Sequence, residues 1–260
     1  MRYGLSSQSP FDIRFEIRLA PERASWTRQA YDQIYIGEGI RQLDSFYRWL
    51  LRLLQPNRGH RLLDVACGIG VLPHFAYQLY GLESYGVDLA LTAMKIAHNE
   101  REGVGRFFVA SGEQLPFANA SFDYVTCIGS LEHFQDMRAG ISEMVRVLRS
   151  DGTACILVPN TYSILGNVYQ ALKTGMSTID SQPLQRYASR GEWTILFEAN
   201  GLHVVRTVKY ERELPDSLSD ARWYLYHPRA MVRLLLTPWI PLNLASCFVY
   251  ICRPAVRKEP

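Results

Sequence analysis

The segment Arg61-Leu62-Leu63-Asp64-Val65-Ala66-Cys67-Gly68-Ile69-Gly70-Val71-Leu72 is the strongest constraint on what this chain can fold into. A short apolar run leads into a Gly-x-Gly turn and then an apolar helix start, so the spacing predicts a strand that delivers a ligand-binding loop. The small residues of that turn let backbone approach a bound molecule closely. Downstream, strand and helix signals alternate. Strands are expected over 61–65, 84–88, 107–110, 122–128 and 153–158, helices over 72–79, 91–100 and 137–148, and a turn at Asp151-Gly152. Such alternation builds a doubly wound α/β sheet with helices on both faces. A helix over 192–199 closed by Asn200-Gly201, a sixth strand over 203–210 and a seventh over 247–253 complete the expectation.

Residues 1–56 read as an N-terminal helical cap without strands, because Ile40, Leu43, Tyr47, Leu50 and Leu54 recur at three- and four-residue steps until Pro56-Asn57-Arg58-Gly59 breaks the pattern. Residues 57–260 read as the sheet domain, with insertions at about 160–189 and 211–246 where the alternation lapses. A chain of 260 residues, 48% apolar, can bury one substantial core and carry a cap. Its net charge of +3, with no basic cluster beyond Arg253, Arg257 and Lys258, argues against a nucleic-acid partner. The cysteines Cys67, Cys127, Cys155, Cys247 and Cys252 are odd in number and form no Cys-x-x-Cys pair, which fits reduced, buried thiols in a cytoplasmic protein. Asp12, Arg14, Glu16 and Arg18 stand where a signal peptide needs an apolar core. Arg233, Pro238 and Pro241 likewise interrupt the apolar stretch 230–251, which is not expected to span a membrane. Within it, Met231, Leu234, Leu235, Leu236, Trp239, Ile240 and Leu242 either pack beneath the last strands or touch lipid.

In an open parallel sheet the ligand lies beyond the carboxyl ends of the strands, where the strand order reverses. Asp64, Asp88, Ser111 and Ile128 all fall at such ends. Asp88 follows the glycine turn by about 20 residues, the spacing of an acid that accepts the hydroxyls of a ribose. Taken singly, Asp64 and Asp88 are equally good helix caps, and Gly68 and Gly70 need only make a tight turn.

Together with Ser111-Gly112-Glu113-Gln114-Leu115-Pro116-Phe117 and Ser121-Phe122-Asp123, these residues resemble the class I S-adenosylmethionine-dependent methyltransferases over roughly residues 60–210. The Ala-Cys-Gly-x-Gly loop is similar to that of the ubiquinone/menaquinone C-methyltransferase-like branch. The resemblance implies a Rossmann-like, mostly parallel seven-stranded sheet and S-adenosyl-L-methionine as co-substrate. It implies backbone contacts from Ala66, Gly68 and Ile128 to the methionine portion, Asp64 holding the loop and the amino group, and adenine contacts around Gly112 and Glu113. Cys67, Gly70 and Leu89 complete the implied cofactor set. An aspartate stands in many relatives at the position of Ser111, which here accepts one hydrogen bond without charge.

Methyl transfer is an in-line displacement from an activated sulfonium, so holding the reactants in a dry pocket supplies much of the catalysis. His133 is the candidate base and Glu132 its orienting partner; the competing readings are a His133 that caps the next helix or packs under a lid, and a solvated Glu132. Leu131-Glu132-His133 resembles a Glu-His pair of quinone-precursor methyltransferases, but Gly129 occupies the place of the further acid a metal site needs, so no metal is expected. The acceptor is expected to be a small aromatic or lipid-like metabolite methylated on oxygen, nitrogen or carbon. Its pocket is assigned to the N-terminal helices, residues 160–189 and Trp223–His227, with Trp26, Tyr31, Tyr35, Tyr162 and Tyr169 as aromatic walls. Tyr31 and Tyr35 share a helical face that can close over the cofactor.

A nicotinamide dehydrogenase would need its third glycine at Pro73. A base-modifying enzyme would need an Asn/Asp-Pro-Pro-Tyr/Phe loop where Ile128-Gly129-Ser130-Leu131 stands. A catalytically inactive cofactor-binding scaffold, or an RNA or protein methyltransferase, is the remaining alternative. Expected partners are thus a small-molecule acceptor, no nucleic acid and no transmembrane segment, with peripheral membrane contact left open and the chain a monomer or homodimer.

Overall fold

A computed structural model describes residues 15–18, 27–37, 39–101, 103–179 and 182–255. Asp12, Arg14, Trp26, Arg257 and Lys258 lie outside the described residues, and Glu16 and Arg18 are described by backbone alone. The chain begins with β1 (Phe15–Arg18), α1 (Thr27–Ile36) and α2 (Asp44–Leu54). It then alternates through β2 (Arg61–Val65), α3 (Val71–Tyr80), β3 (Glu83–Asp88), α4 (Leu91–Glu100), β4 (Arg106–Val109), β5 (Phe122–Ile128), α5 (Met137–Val147) and β6 (Leu148–Pro159). A π-helical turn over Ile164–Val168 leads into α6 (Tyr169–Thr174), followed by β7 (Leu184–Tyr187), α7 (Arg190–Ala199) and β8 (Leu202–Tyr210). The helices α8 (Leu218–Tyr226) and α9 (Pro228–Leu236) precede the last strand, β9 (Cys247–Pro254).

Seven strands form one sheet in the order β4-β3-β2-β5-β6-β9-β8, parallel except for β9, which runs against both neighbours. The chain winds outward from β2 through β3 to β4 and then returns to the far side of β2 as β5. The strand order therefore reverses between β2 and β5, and a crevice opens beyond their carboxyl ends.

Side-chain alternation along the strands produces two apolar layers. Leu62, Tyr124, Cys155 and Leu157 meet Phe46, Leu50 and Leu51 of α2 and Leu72, Phe75 and Ala76 of α3 on one face. Leu63, Val65, Val125 and Ile156 meet Ile141 and Met144 of α5 and Trp193, Leu196 and Phe197 of α7 on the other. The helix starts are set locally. Asp136 accepts the backbone N–H groups of Arg138 and Ala139 to begin α5, and Ser189 and Glu192 form a reciprocal capping box on α7.

Several expectations are corrected. The N-terminal region is not purely helical, because β1 pairs antiparallel with β7 in a separate two-stranded sheet. Both strands are only four residues long, too short for the periodicity argument to reveal. The lapse in alternation between residues 160 and 189 holds α6 and β7. Leu148 belongs to β6 and not to the preceding helix: it pairs with Phe122, and residues 149–152 bulge outward before Thr153 pairs with Tyr124. The aromatic-rich stretch before the last strand is the hairpin of α8 on α9.

Phe197 is fully buried between α7 and the sheet, stacked on Trp193 and edge-on to Tyr250. Phe197→Ala should lower unfolding stability by about 3–5 kcal/mol in urea titrations, the usual cost of emptying such a site.

Candidate active site

The switch point is occupied by two buried carboxylates. Asp88, at the tip of β3, accepts the backbone N–H of Gly68 on one oxygen and that of Ala90 on the other, each at 2.9 Å. It thereby ties the glycine loop to the start of α4. Burial pushes its carboxyl up, opposed by the N–H groups of Ala90 and Gly68. Asp64, one residue before the end of β2, accepts the Thr126 hydroxyl at 2.5 Å. Burial drives its carboxyl up to about 7, against the pull of that hydroxyl and with the Asp88 charge adding to the rise.

The loop between them is nearly bare backbone. Ala66 and Gly68 both have positive φ, 57° and 53°. A Cβ on Gly68 would lie 2.6 Å from the Tyr35 hydroxyl, so glycine is required by both conformation and space. Cys67 turns back into the sheet, where the absent side chain of Gly86 leaves room for its sulfur; burial holds the thiol neutral.

A cavity of about 380 Å³ runs across these strand ends, within the range of small-molecule sites. One half is lined by Asp64, Ala66, Cys67, Gly68, Asp88 and Leu89 with Ser111, Gly112 and Glu113 from the loop after β4. That loop is held from below: Arg146 of α5 donates to the carbonyls of Leu115 and Phe117, and Glu143 accepts the Leu115 N–H. The other half is bounded by Phe46, Tyr47, Ile128, Leu157, Tyr210 and Cys247. No lysine or arginine lines the cavity among the described residues, whereas three acids do. A positively charged ligand suits this lining and a phosphate-bearing one does not.

Helix α1 closes the cofactor half. Tyr35 and Tyr31 both line the cavity, and Tyr31 donates to Gln182 at 3.1 Å. Asp32 accepts the Thr92 N–H at 2.8 Å, capping α4 from outside its own chain segment. Burial and the nearby Asp88 push the Tyr35 hydroxyl well above its ordinary value, so it enters the cavity protonated.

His133 ends a 3₁₀ turn, Leu131–His133, and lines the cavity. Its Nδ1 lies 2.5 Å from the Leu184 carbonyl of β7. A carbonyl only accepts, so Nδ1 carries the proton and Nε2 is the ring atom available for proton exchange. Glu132 Oε1 stands 3.8 Å from that Nε2. The structure therefore brings His133 beneath β7, while Asp136, not His133, caps the helix that follows.

Of the expected site residues, Gly70 and Glu132 do not line the cavity. Glu132 is buried rather than solvated, and Gly70 makes room for the Phe107 ring against α4. Tyr162, Tyr169 and Trp223–His227, assigned to the acceptor pocket, do not line it either; Tyr162, Tyr169 and Tyr226 face outward. The walls that sequence reasoning missed include Phe46, Tyr47, Tyr210 and Cys247. Phe46 and Tyr47 lie on the noticed amphipathic helix, but nothing in their spacing shows that they overhang a ligand.

Comparison with known proteins agrees with this geometry. Residues 63–156 match the family model described as a methyltransferase domain. The chain is 32% identical over 147 residues to the uncharacterized methyltransferase YcgJ of Bacillus subtilis, covering 55% of this chain and 57% of the relative. It is 31% identical over 106 residues to the demethylmenaquinone methyltransferase of Chlorobaculum parvum, covering 41% and 44%. The chain thus spans about half the length of such curated relatives. The solved structure of the [4+2]-cyclase SpnF shares the fold, with a TM-score of 0.64 at 15% identity over 90% of this chain and 97% of that one. Residues 63–156 thus match a methyltransferase domain, and that stretch lies on the sheet just described, whose fold is the Rossmann-like one of class I methyltransferases.

Asp64 makes a testable contribution to stability. Its carboxyl lies near 3.8 when exposed and near 7 when folded, so between those values the folded chain holds a proton that the unfolded chain has lost. Stability should fall as pH rises through that window, by up to about 1.4 kcal/mol per pH unit. Asp64→Asn should flatten this slope in urea unfolding across the window; an unchanged pH dependence would show that Asp64 is already ionised when folded.

Proposed function

We propose that this chain transfers a methyl group from S-adenosylmethionine to a small, uncharged, aromatic or lipid-like acceptor. The observation that carries the reading is the single cavity with acids and bare backbone at one end and an apolar aromatic wall at the other, without a cation anywhere on its described lining. The donor carries an ammonium and a sulfonium, and a lining of three acids without a cation suits both. The same lining disfavours the pyrophosphate of a nicotinamide cofactor and any phosphorylated acceptor.

The residues present fit the donor. Asp88 has one lone pair engaged on each oxygen and further lone pairs toward the cavity for a ribose diol. Asp64 sits where it can pair with an ammonium, an exchange that would draw its carboxyl down from about 7 and release the proton it holds. Ala66 and Gly68 offer backbone groups at the turn and Ile128 at the end of β5, and Gly112, whose missing side chain lets Phe134 and Val65 pack close, lines the cavity on the side given to the adenine. Ser111 accepts the Glu113 N–H, and Glu113 accepts the Gln135 N–H, so both also fix the loop over that base. When bound, the donor supplies a methyl group on a leaving sulfonium.

The chain's own work is positional. Tyr35 and α1 exclude water from the donor side, and Phe46, Tyr47, Leu157 and Tyr210 align the acceptor. His133 Nε2 takes a proton from an acidic acceptor group, and Glu132 balances the resulting imidazolium. A base at this position serves an oxygen acceptor, a carbon activated by a neighbouring hydroxyl, or a nitrogen that must lose a proton before or during methylation. The five free cysteines agree with a reducing, cytoplasmic setting.

Two measurements test the reading. Asp88→Ala should weaken donor binding by about 1.5–3 kcal/mol in calorimetry, the value of hydrogen bonds to a charged group. An unchanged affinity would remove Asp88 from the ribose. With a phenolic or quinol acceptor panel, His133→Asn should lower kcat by about 10²–10⁴-fold and abolish the rise of rate with pH while leaving donor affinity intact. Full activity across pH would exclude it as the base, and donor binding without transfer to any acceptor would support a non-catalytic role.

A further inference from the structure

The two segments that leave the carboxyl edge of the sheet beside the cavity have outer faces of an unusual kind. One runs between β6 and β7, the other between β8 and β9. Pro159, Cys247 and Tyr210 share one register at that edge, and Tyr210 and Cys247 are themselves cavity walls. The segments are joined at their bases, where Asn160 donates to the carbonyls of Asn243 and Ala245 and the Ser163 and Ser246 hydroxyls meet at 3.0 Å.

A surface helix ordinarily turns its apolar stripe inward and its polar face to water. Helix α9 does not. Ala230 faces inward, while Arg229, Val232, Leu235 and Leu236 face out, and Trp239, in the 3₁₀ turn Thr237–Trp239 that follows, is exposed as well. Trp239 is 77% exposed and Leu235 61%. Helix α8 repeats the arrangement with Leu218, Arg222, Leu225 and Tyr226 outward, Leu218 at 91% exposure. In the first segment Tyr169, Leu172 and Met176 are exposed beside Lys173. From the stretch 230–251, Ile240 alone of the seven apolar residues singled out in the sequence is fully buried.

The free charges on these surfaces are basic, and the exposed acid at their edge, Asp216, is already paired with Arg48 and Arg52. From 217 to 245 the exposed charged residues are Arg222 and Arg229, the one acid, Asp220, being buried. From 161 to 179 the only charged residue is Lys173. Large apolar side chains, a tryptophan and tyrosines at the rim, and cations whose exposed acidic neighbour Asp216 is taken up by Arg48 and Arg52 together match the interfacial zone of an anionic bilayer. A second copy of the chain fits less well, because an isologous contact would bring arginines together and the exposed acid nearby, Asp216, is already paired with Arg48 and Arg52.

We infer that α8, α9 and the segment around α6 form a docking surface for an anionic lipid bilayer, next to the mouth of the acceptor cavity. Docking stands independently of the reaction; entry of a lipid-soluble acceptor from the bilayer rests on the function proposed above. The surface sits where such a molecule would cross least water.

The test uses the full chain with vesicles of phosphatidylcholine alone and of phosphatidylcholine with about 30% phosphatidylglycerol, in flotation at low and at physiological salt. The chain should float with the anionic vesicles, less so as salt rises, and weakly or not at all with the neutral ones. Leu235→Glu with Trp239→Ala should reduce bound protein at least tenfold, and Arg222→Glu with Arg229→Glu should remove the preference for anionic lipid. All four positions are exposed or at the surface, so donor affinity and thermal midpoint should stay at the parent values; that readout separates failure of docking from failure of the methyl-transfer reading. A chain that stays in the soluble fraction with both vesicle types would overturn the inference. So would a stable dimer in sedimentation equilibrium that the Leu235 and Trp239 substitutions dissociate.

Discussion

The hydrogen bond from the Gly68 backbone to the Asp88 carboxylate is the interaction on which the site depends. It links the tip of β3 to the loop that follows β2, and the second oxygen of the same carboxylate anchors the first turn toward α4. One buried side chain thus fixes three pieces of backbone at the point where the sheet changes winding direction. Carboxylates are expensive to bury, and backbone N–H groups offset that cost without adding a cation to the cavity. The result is a site that keeps its negative character while its geometry is set.

Negative charge is concentrated where the sheet reverses, and apolar character grows across β5, β6, β9 and β8 toward Tyr210 and Cys247. On the function proposed above, electrostatics and hydrophobicity would sort a cationic donor and an uncharged acceptor to opposite ends of one cavity. The segment that carries the outward-facing α8 and α9 joins β8 to β9, whose ends at Tyr210 and Cys247 wall the apolar end of the cavity.

The loop that carries His133 is held by a strand, β7, outside the main sheet. Arg186 of β7 donates to the carbonyls of Glu132, Phe134 and Gln135, and Leu184 of the same strand receives His133 Nδ1. The tautomer of the imidazole is thus set by a residue more than fifty positions away. Tyr31 and Gln182 tie the lid helix to the same inserted region, so lid, imidazole and insert form one supported unit.

Much of this was legible in the amino-acid order. Strand and helix periodicity located six of the seven strands of the main sheet to within a residue or so, and the seventh, β6, was found by its carboxyl half. The loop glycines and the acids Asp64 and Asp88 could be found because each is required by a local feature, a tight turn or a strand end. What stayed hidden is non-local. The pairing of β1 with β7 involves four residues on each side from distant parts of the chain. The cavity walls Phe46, Tyr47, Tyr210 and Cys247 look like ordinary core residues until strands and helices converge. The aromatic run 223–227 promised a pocket, yet Leu225 and Tyr226 point to solvent because the α8–α9 hairpin turns its buried side to the sheet. Sequence by itself determined the winding of the sheet and the chemistry at its switch point, since both follow from short-range periodicity and turn requirements. Only the tertiary structure decided which aromatic residues line the cavity, which nitrogen of His133 meets the Leu184 carbonyl and which apolar face remains outside, because those depend on contacts between segments that no local pattern encodes.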